Sequence, residues 1–184
     1  MRINKNVNVS EREGFMDYNI QITDIAGASP EHSEVIVNFV SVIRSQLRNS
    51  TCKVYSDNVQ YKWNLQDGTT KSVVPDASIN CQFKTKRGNS FLATPRFVME
   101  VLSPSTEKYD RTEKMEIYRE QEIEEYWIVD VSKKQVEIYE LDYQNDTPKY
   151  YLWNTITEQN KQELEILHFP NVKITYDELF SEID

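Results

Sequence analysis

The sequence predicts a single α/β domain, a central mixed sheet flanked by helices, with further strands toward the C-terminus. Three observations predict it. Residues 30–49 repeat apolar side chains at helical spacing behind a capping serine. Residues 96–102 are almost continuously apolar, as a strand buried on both faces should be. A second helical pattern and a second apolar strand follow directly after it.

The elements justify themselves in order. Residues 1–28 are polar, with one candidate strand at Tyr18–Ile22, and read as an N-terminal extension to a domain at 29–184. Ser29 can cap a helix, Pro30 suits its first position and Glu31 complements its dipole. Val35, Ile36, Phe39, Val40, Ile43 and Leu47 then form one apolar face, ending near Asn49. Strands are predicted at Cys52–Tyr55 and Val59–Trp63, and a longer one at Val73–Cys81 that contains Pro75 and Asp76. A basic loop, Lys84–Asn89, precedes the buried strand Arg96–Leu102, which Ser103-Pro104-Ser105 stops. A helix is predicted over Thr106–Glu120, then strands at Tyr126–Val131 and Gln135–Leu141, with two more at Tyr150–Trp153 and Glu163–Leu167. Thr175 and Glu178 spell a capping box for a short last helix.

Hydrophobic residues are 39% of the chain, charged residues 28% and aromatic residues 11%, which excludes a disordered chain. No apolar run is long enough to cross a bilayer, and residues 1–10 lack the apolar stretch of a signal peptide. We therefore expect a cytoplasmic protein with no membrane partner, whose two cysteines, Cys52 and Cys81, are free thiols. The net charge of −9 weighs against tight sequence-independent DNA binding. A local basic patch can still serve, and Lys84–Arg87 or Lys108, Arg111 and Lys114 are the candidates.

Glu100 is the most informative residue. It interrupts the run Phe97–Leu102, where an unpaired carboxylate is costly. With Val98 and Leu102 it shares one strand face, so it either meets a cation or lies at the rim of the sheet. An ordinary salt bridge explains it as well. Asp76 is unfavourable within a strand, although Pro75-Asp76 also reads as a turn. Two acids on neighbouring strands can converge on one hard cation, Mg²⁺ or Mn²⁺. Asp110, Lys114 and Tyr118 fall four residues apart on one helix face. Lys114 could stabilise charge on a phosphate, or be a solvated lysine paired with Asp110. Glu34 could add a ligand, although a surface glutamate is the plainer account. His32 is as well explained by capping or packing.

These residues carry a resemblance. Val74-Pro75-Asp76, the block Phe97–Thr106, Asp110 with Lys114 and Tyr118, Glu125–Asp130, and Phe169-Pro170-Asn171-Val172 with Leu179-Phe180 resemble the Uma2-like family of restriction-endonuclease-like proteins, within the PD-(D/E)XK nuclease superfamily. His32 matches a histidine at the start of the family's first helix. The resemblance covers residues 29 to 182 or so. It implies a restriction-endonuclease-like core, with Asp76, Glu100 and the Val101 carbonyl as metal ligands and Asp76, Glu100 and Lys114 as the catalytic set. The lysine expected two residues after the glutamate is absent, since that position is Leu102. A lysine from the following helix, Lys114, is implied in its place. Glu120-Gln121-Glu122 stands where a glycine is usual.

The function expected is metal-dependent hydrolysis of DNA phosphodiester bonds, with DNA as partner and a homodimer left open. The alternative is a catalytically inactive domain that binds nucleic acid or protein on a nuclease scaffold, which the acidic charge and Leu102 favour.

Overall fold

The computed structural model describes residues 29–183. Helix α1 spans Pro30–Gln46, and the Ser29 side chain accepts the His32 N–H at its start. Its apolar face buries Val35, Ile36, Phe39 and Ile43. Strands β1 (Lys53–Ser56), β4 (Ala77–Asn80), β7 (Phe97–Val101), β8 (Glu125–Asp130), β9 (Gln135–Gln144) and β10 (Thr147–Ile156) form one six-stranded sheet in that order. Only β7 and β8 run parallel, and the other neighbours are antiparallel, so the expected mixed sheet is what forms.

Each face of this sheet carries its own core. Phe97, Met99 and Val101 pack toward α1 and the C-terminal segment, whereas Val98 on the alternate positions packs toward the opposite layer. That opposite layer holds a second sheet that the sequence did not announce: β2 (Gln60–Asn64), β3 (Thr70–Val73), β5 (Lys86–Arg87) and β6 (Ser90–Phe91), in the order β3-β2-β6-β5. Its inner face contributes Tyr61, Trp63, Val73 and Phe91 to the second core.

The predicted strand Val73–Cys81 is in fact two. Val73 ends β3, Asp76 lies in a bend, and Ala77 opens β4. Pro75 explains the break, because it has no N–H for a ladder. The Glu163–Leu167 strand does not form either. A 3-10 turn at Lys161–Glu163 leads into irregular chain, whose Leu164 and Ile166 plug the core. The last helix, α4 (Tyr176–Leu179), has the full Thr175–Glu178 capping box. The candidate strand Tyr18–Ile22 falls outside the described residues.

The free-thiol expectation is overturned. Lys53 pairs with Asn80 in the antiparallel β1–β4 ladder, so the next step along brings Cys52 opposite Cys81, and the two are joined in a disulfide. Sequence spacing alone hides such a cross-strand contact. With a sequence separation of 29 between the cysteines, opening the bridge by Cys52→Ser is expected to cost about 3–4 kcal/mol on the chain-entropy account. Thiol titration of the unreduced, unfolded protein should find no reactive thiol. Two thiols found without reductant would restore the original expectation.

After β7, the predicted second helix is a composite. α2 (Glu107–Tyr109) runs through a π-turn at Asp110–Lys114 into α3 (Met115–Glu120). It ends in a Schellman-type closure, in which the Ile123 N–H donates to the Tyr118 carbonyl. Glu122, within the Glu120-Gln121-Glu122 stretch, takes the left-handed conformation there, φ 54°. The helix end therefore keeps its geometry and bears the backbone strain of a Cβ. No described helix is long and apolar enough to cross a membrane.

Candidate active site

Asp76 and Glu100 meet because of ladder register. Ala77 pairs with Met99, so Asp76 sits beside Glu100 one step past the last ladder pair. Each acid then binds a backbone N–H of the other's segment. The Val101 N–H donates to Asp76 Oδ2 at 2.7 Å, and the Asp76 N–H donates to Glu100 Oε2 at 3.3 Å. Glu100 is fully buried and points to the face that the π-turn and α3 cover.

The helical run supplies the cation. Lys114 Nζ lies 2.8 Å from Glu100 Oε2 and 3.0 Å from Asp110 Oδ1. Both contacts are charge pairings, and Asp110 Oδ1 is buried without an aligned hydrogen-bond partner. The Tyr118 hydroxyl donates to Glu100 Oε1 at 2.5 Å. In a regular α-helix a residue four positions on overshoots by about 40°, so three residues spaced by four drift off a common face. The π-turn between Asp110 and Lys114 is wider and takes up much of that drift. It keeps the three side chains aimed at one strand.

Two carboxylates, Glu100 and Asp110, thus hold one ammonium, with Asp76 clasped to the Glu100 strand beside them. Burial pushes the Glu100 carboxyl up to about 8, Lys114 works against that rise, and the negative charges of Asp76 and Asp110 add to it. Burial works to lower the Lys114 pKa, but Glu100 and Asp110 hold it well above its ordinary value. Lys114 is therefore an ammonium. His32 reaches the same spot from α1, its Nε2 3.5 Å from Asp76 Oδ1, while its Nδ1 is buried without a partner.

Other expected members stand differently. Glu34 is half-buried and makes no hydrogen bond or ion pair among the described residues. Val101 enters through its N–H, with its carbonyl next along the same strand. Lys108 is exposed. Arg111, from the same candidate basic patch, is spent on Glu107 and Glu137. That patch is therefore not a set of free cations. Asp130 closes the β8–β9 turn through Ser132 and Lys133.

Two residues gained weight that the sequence had not given them. Tyr118 was visible on the lysine face but had no assigned partner. Glu125 is fully buried at the other end of β8, where Trp127 Nε1 and the His168 N–H donate to it. Burial pushes its carboxyl up to about 7 against those bonds.

A divalent cation suits this donor set. The oxygens are hard, and a bound cation would offset the charge of the acids grouped here. Among the described residues no three acidic, histidine or cysteine side chains are already spaced as its ligands. In this structure the Glu100 oxygens are engaged by Lys114, Tyr118 and the Asp76 N–H.

Comparison with known proteins agrees with this architecture. The Uma2 family, described as "Putative restriction endonuclease", matches residues 19–175. An uncharacterized protein of Synechocystis sp., slr1290, is 27% identical over 146 residues, covering 78% of this chain and 73% of that protein. The fold is similar to a crystal structure described as a "putative nuclease belonging to DUF820" from Anabaena variabilis. The TM-score is 0.61 at 19% identity, over 82% of this chain and 80% of that one.

Proposed function

Because the chain belongs to the Uma2 family of "putative restriction endonucleases", we propose that it is a metal-dependent endonuclease hydrolysing DNA phosphodiester bonds. The observation that carries the reading is the clasp of Asp76 and Glu100 with Lys114 held against it at 2.8 Å. Asp76, Glu100 and the Val101 carbonyl would hold Mg²⁺ or Mn²⁺, which supplies polarisation of the phosphoryl oxygen and a more acidic water. The protein's own groups do the rest. The Lys114 ammonium, fixed by two acids, offers positive charge to the oxygens on which charge accumulates as water adds and one P–O bond breaks. Tyr118 fixes the Glu100 carboxylate through its hydroxyl, and His32 stands against Asp76 Oδ1.

One observation favours the inactive-scaffold reading. Glu100 is fully buried and both its oxygens already accept from protein donors, as in a purely structural ion cluster. Plasmid relaxation separates the two. With Mn²⁺ the native protein should nick supercoiled DNA, and chelation should stop it. Asp76→Asn should be slower by at least about 10²-fold, more than loss of an outer-shell partner costs. If native protein and variant are equally inert with every divalent ion, the binding-domain reading replaces this one.

A further inference from the structure

The outer face of the small sheet remains unused. Cross-strand partners point to the same side, so the register Arg87↔Ser90, Gln60↔Ser90, Lys62↔Ser72 and Asn64↔Thr70 lays these side chains on one surface. Hydrogen bonds from Ser90 to Gln60 and from Thr70 to Asn64 confirm the shared face. A cleft of about 820 Å³ opens there, and Lys62 and Arg87 are its only charged lining residues among the described residues. The chain carries 30 acids against 21 lysines and arginines, so an acid-free cationic surface is unlike its average.

Several of the basic residues elsewhere are spent. Arg96, Arg111, Lys114, Arg119, Lys133 and Lys161 are all in ion pairs. On this face, Lys62 and Arg87 have no carboxylate within ion-pair distance among the described residues. The nearby acids are held off the cleft: Asp67 is bound by Thr69, and Glu120 accepts the Gln66 N–H.

We propose that this face binds the phosphate backbone of duplex DNA. Lys62 and Arg87 stand two strands and two residues apart, about 12 Å between Cα atoms by strand spacing and rise. The amides and hydroxyls between them can donate to phosphate oxygens without reading bases. Positive charge on an otherwise acidic chain supplies sequence-independent affinity, which the buried, internally paired Lys114 cannot give. The inner face of the same sheet packs Trp63 edge-on against Tyr118, with centroids 6.4 Å apart, so capture and candidate chemistry are separated by one aromatic layer. The choice of DNA rests on the nuclease reading above.

The test is fluorescence anisotropy of a labelled duplex with the full chain across a salt series. The Lys62→Gln, Arg87→Gln double variant should lower the slope of log K on log salt by about 1.8, for two lost phosphate contacts. The affinity ratio between about 50 and about 200 mM salt should shrink about tenfold with it. A control with the same charge change, Lys149→Gln with Lys173→Gln, alters exposed lysines off the face and should keep the native slope. Equal slopes in both variants, no duplex binding by the native protein, or binding of RNA alone would each overturn the proposal. Outcomes for the two readings are separable. Inert native protein with a face-dependent slope loses the nuclease and keeps the surface, whereas cleavage with unchanged slopes does the reverse.

Discussion

Lys114→Ala is expected to destabilise the fold by about 3–5 kcal/mol, because it strands buried charges that now share one partner. Glu100 is fully buried and Asp110 nearly so, and each lies within 3.0 Å of the ammonium. Urea unfolding above about pH 8, where Glu100 carries its charge, reads the loss in full. The deficit should narrow as pH falls, since Glu100 can escape its penalty by taking a proton. On the nuclease reading the same change also slows Mn²⁺-dependent nicking by about 10²–10⁴-fold, as for other positioned catalytic groups. Lys108→Ala is the control. It is exposed and unpaired among the described residues, and should stay within about 0.5 kcal/mol of the native protein. If Lys114→Ala unfolds with the loss described yet cleaves at the native rate, the lysine is structural and the catalytic cation lies elsewhere.

The second large effect concerns Glu100 and pH. Its carboxyl rises from an ordinary 4.5 to about 8 on folding, chiefly through burial. Between those values the folded protein holds a proton that the unfolded chain has released. Stability therefore declines as pH climbs through this window, at up to about 1.4 kcal/mol per pH unit. Glu100→Gln removes that group, keeps an acceptor for Tyr118, and should flatten the decline. Glu125, raised to about 7, remains in both proteins and leaves a shallower slope in the variant. Urea midpoints between about pH 5 and about pH 8 measure the difference, and parallel profiles would refute it. Nicking by Glu100→Gln should be lost across that range, since the amide cannot bring a carboxylate to the site.

The placement of these side chains was legible where it depended on local periodicity. Glu100 stood out as a charge in an apolar strand, and the spacing of Asp110, Lys114 and Tyr118 put them on one helix face. Strand alternation also set Val98 and Glu100 apart from Phe97, Met99 and Val101. What stayed hidden depended on contacts between distant segments. The Cys52–Cys81 bond follows from β1–β4 register, which no pattern within either strand reveals. The small sheet is built partly from strands of two residues, too short for alternation to register. The π-turn has no hydrophobic signature at all. Leu164 and Ile166 fill the core from irregular chain, and their spacing imitated a strand.

The clasp between Asp76 and Glu100 bears on how this site could decay over evolutionary time. Each carboxylate ties down the other's strand, and Glu100 anchors the helical run through Lys114 and Tyr118. A descendant released from any need to cut DNA would still be selected to keep these residues, because it must still fold. Their retention in a relative is thus weak testimony for turnover. Residues that serve only a ligand, such as the exposed Lys62 and Arg87, are free to drift once that ligand is no longer met, and are the better witnesses to use.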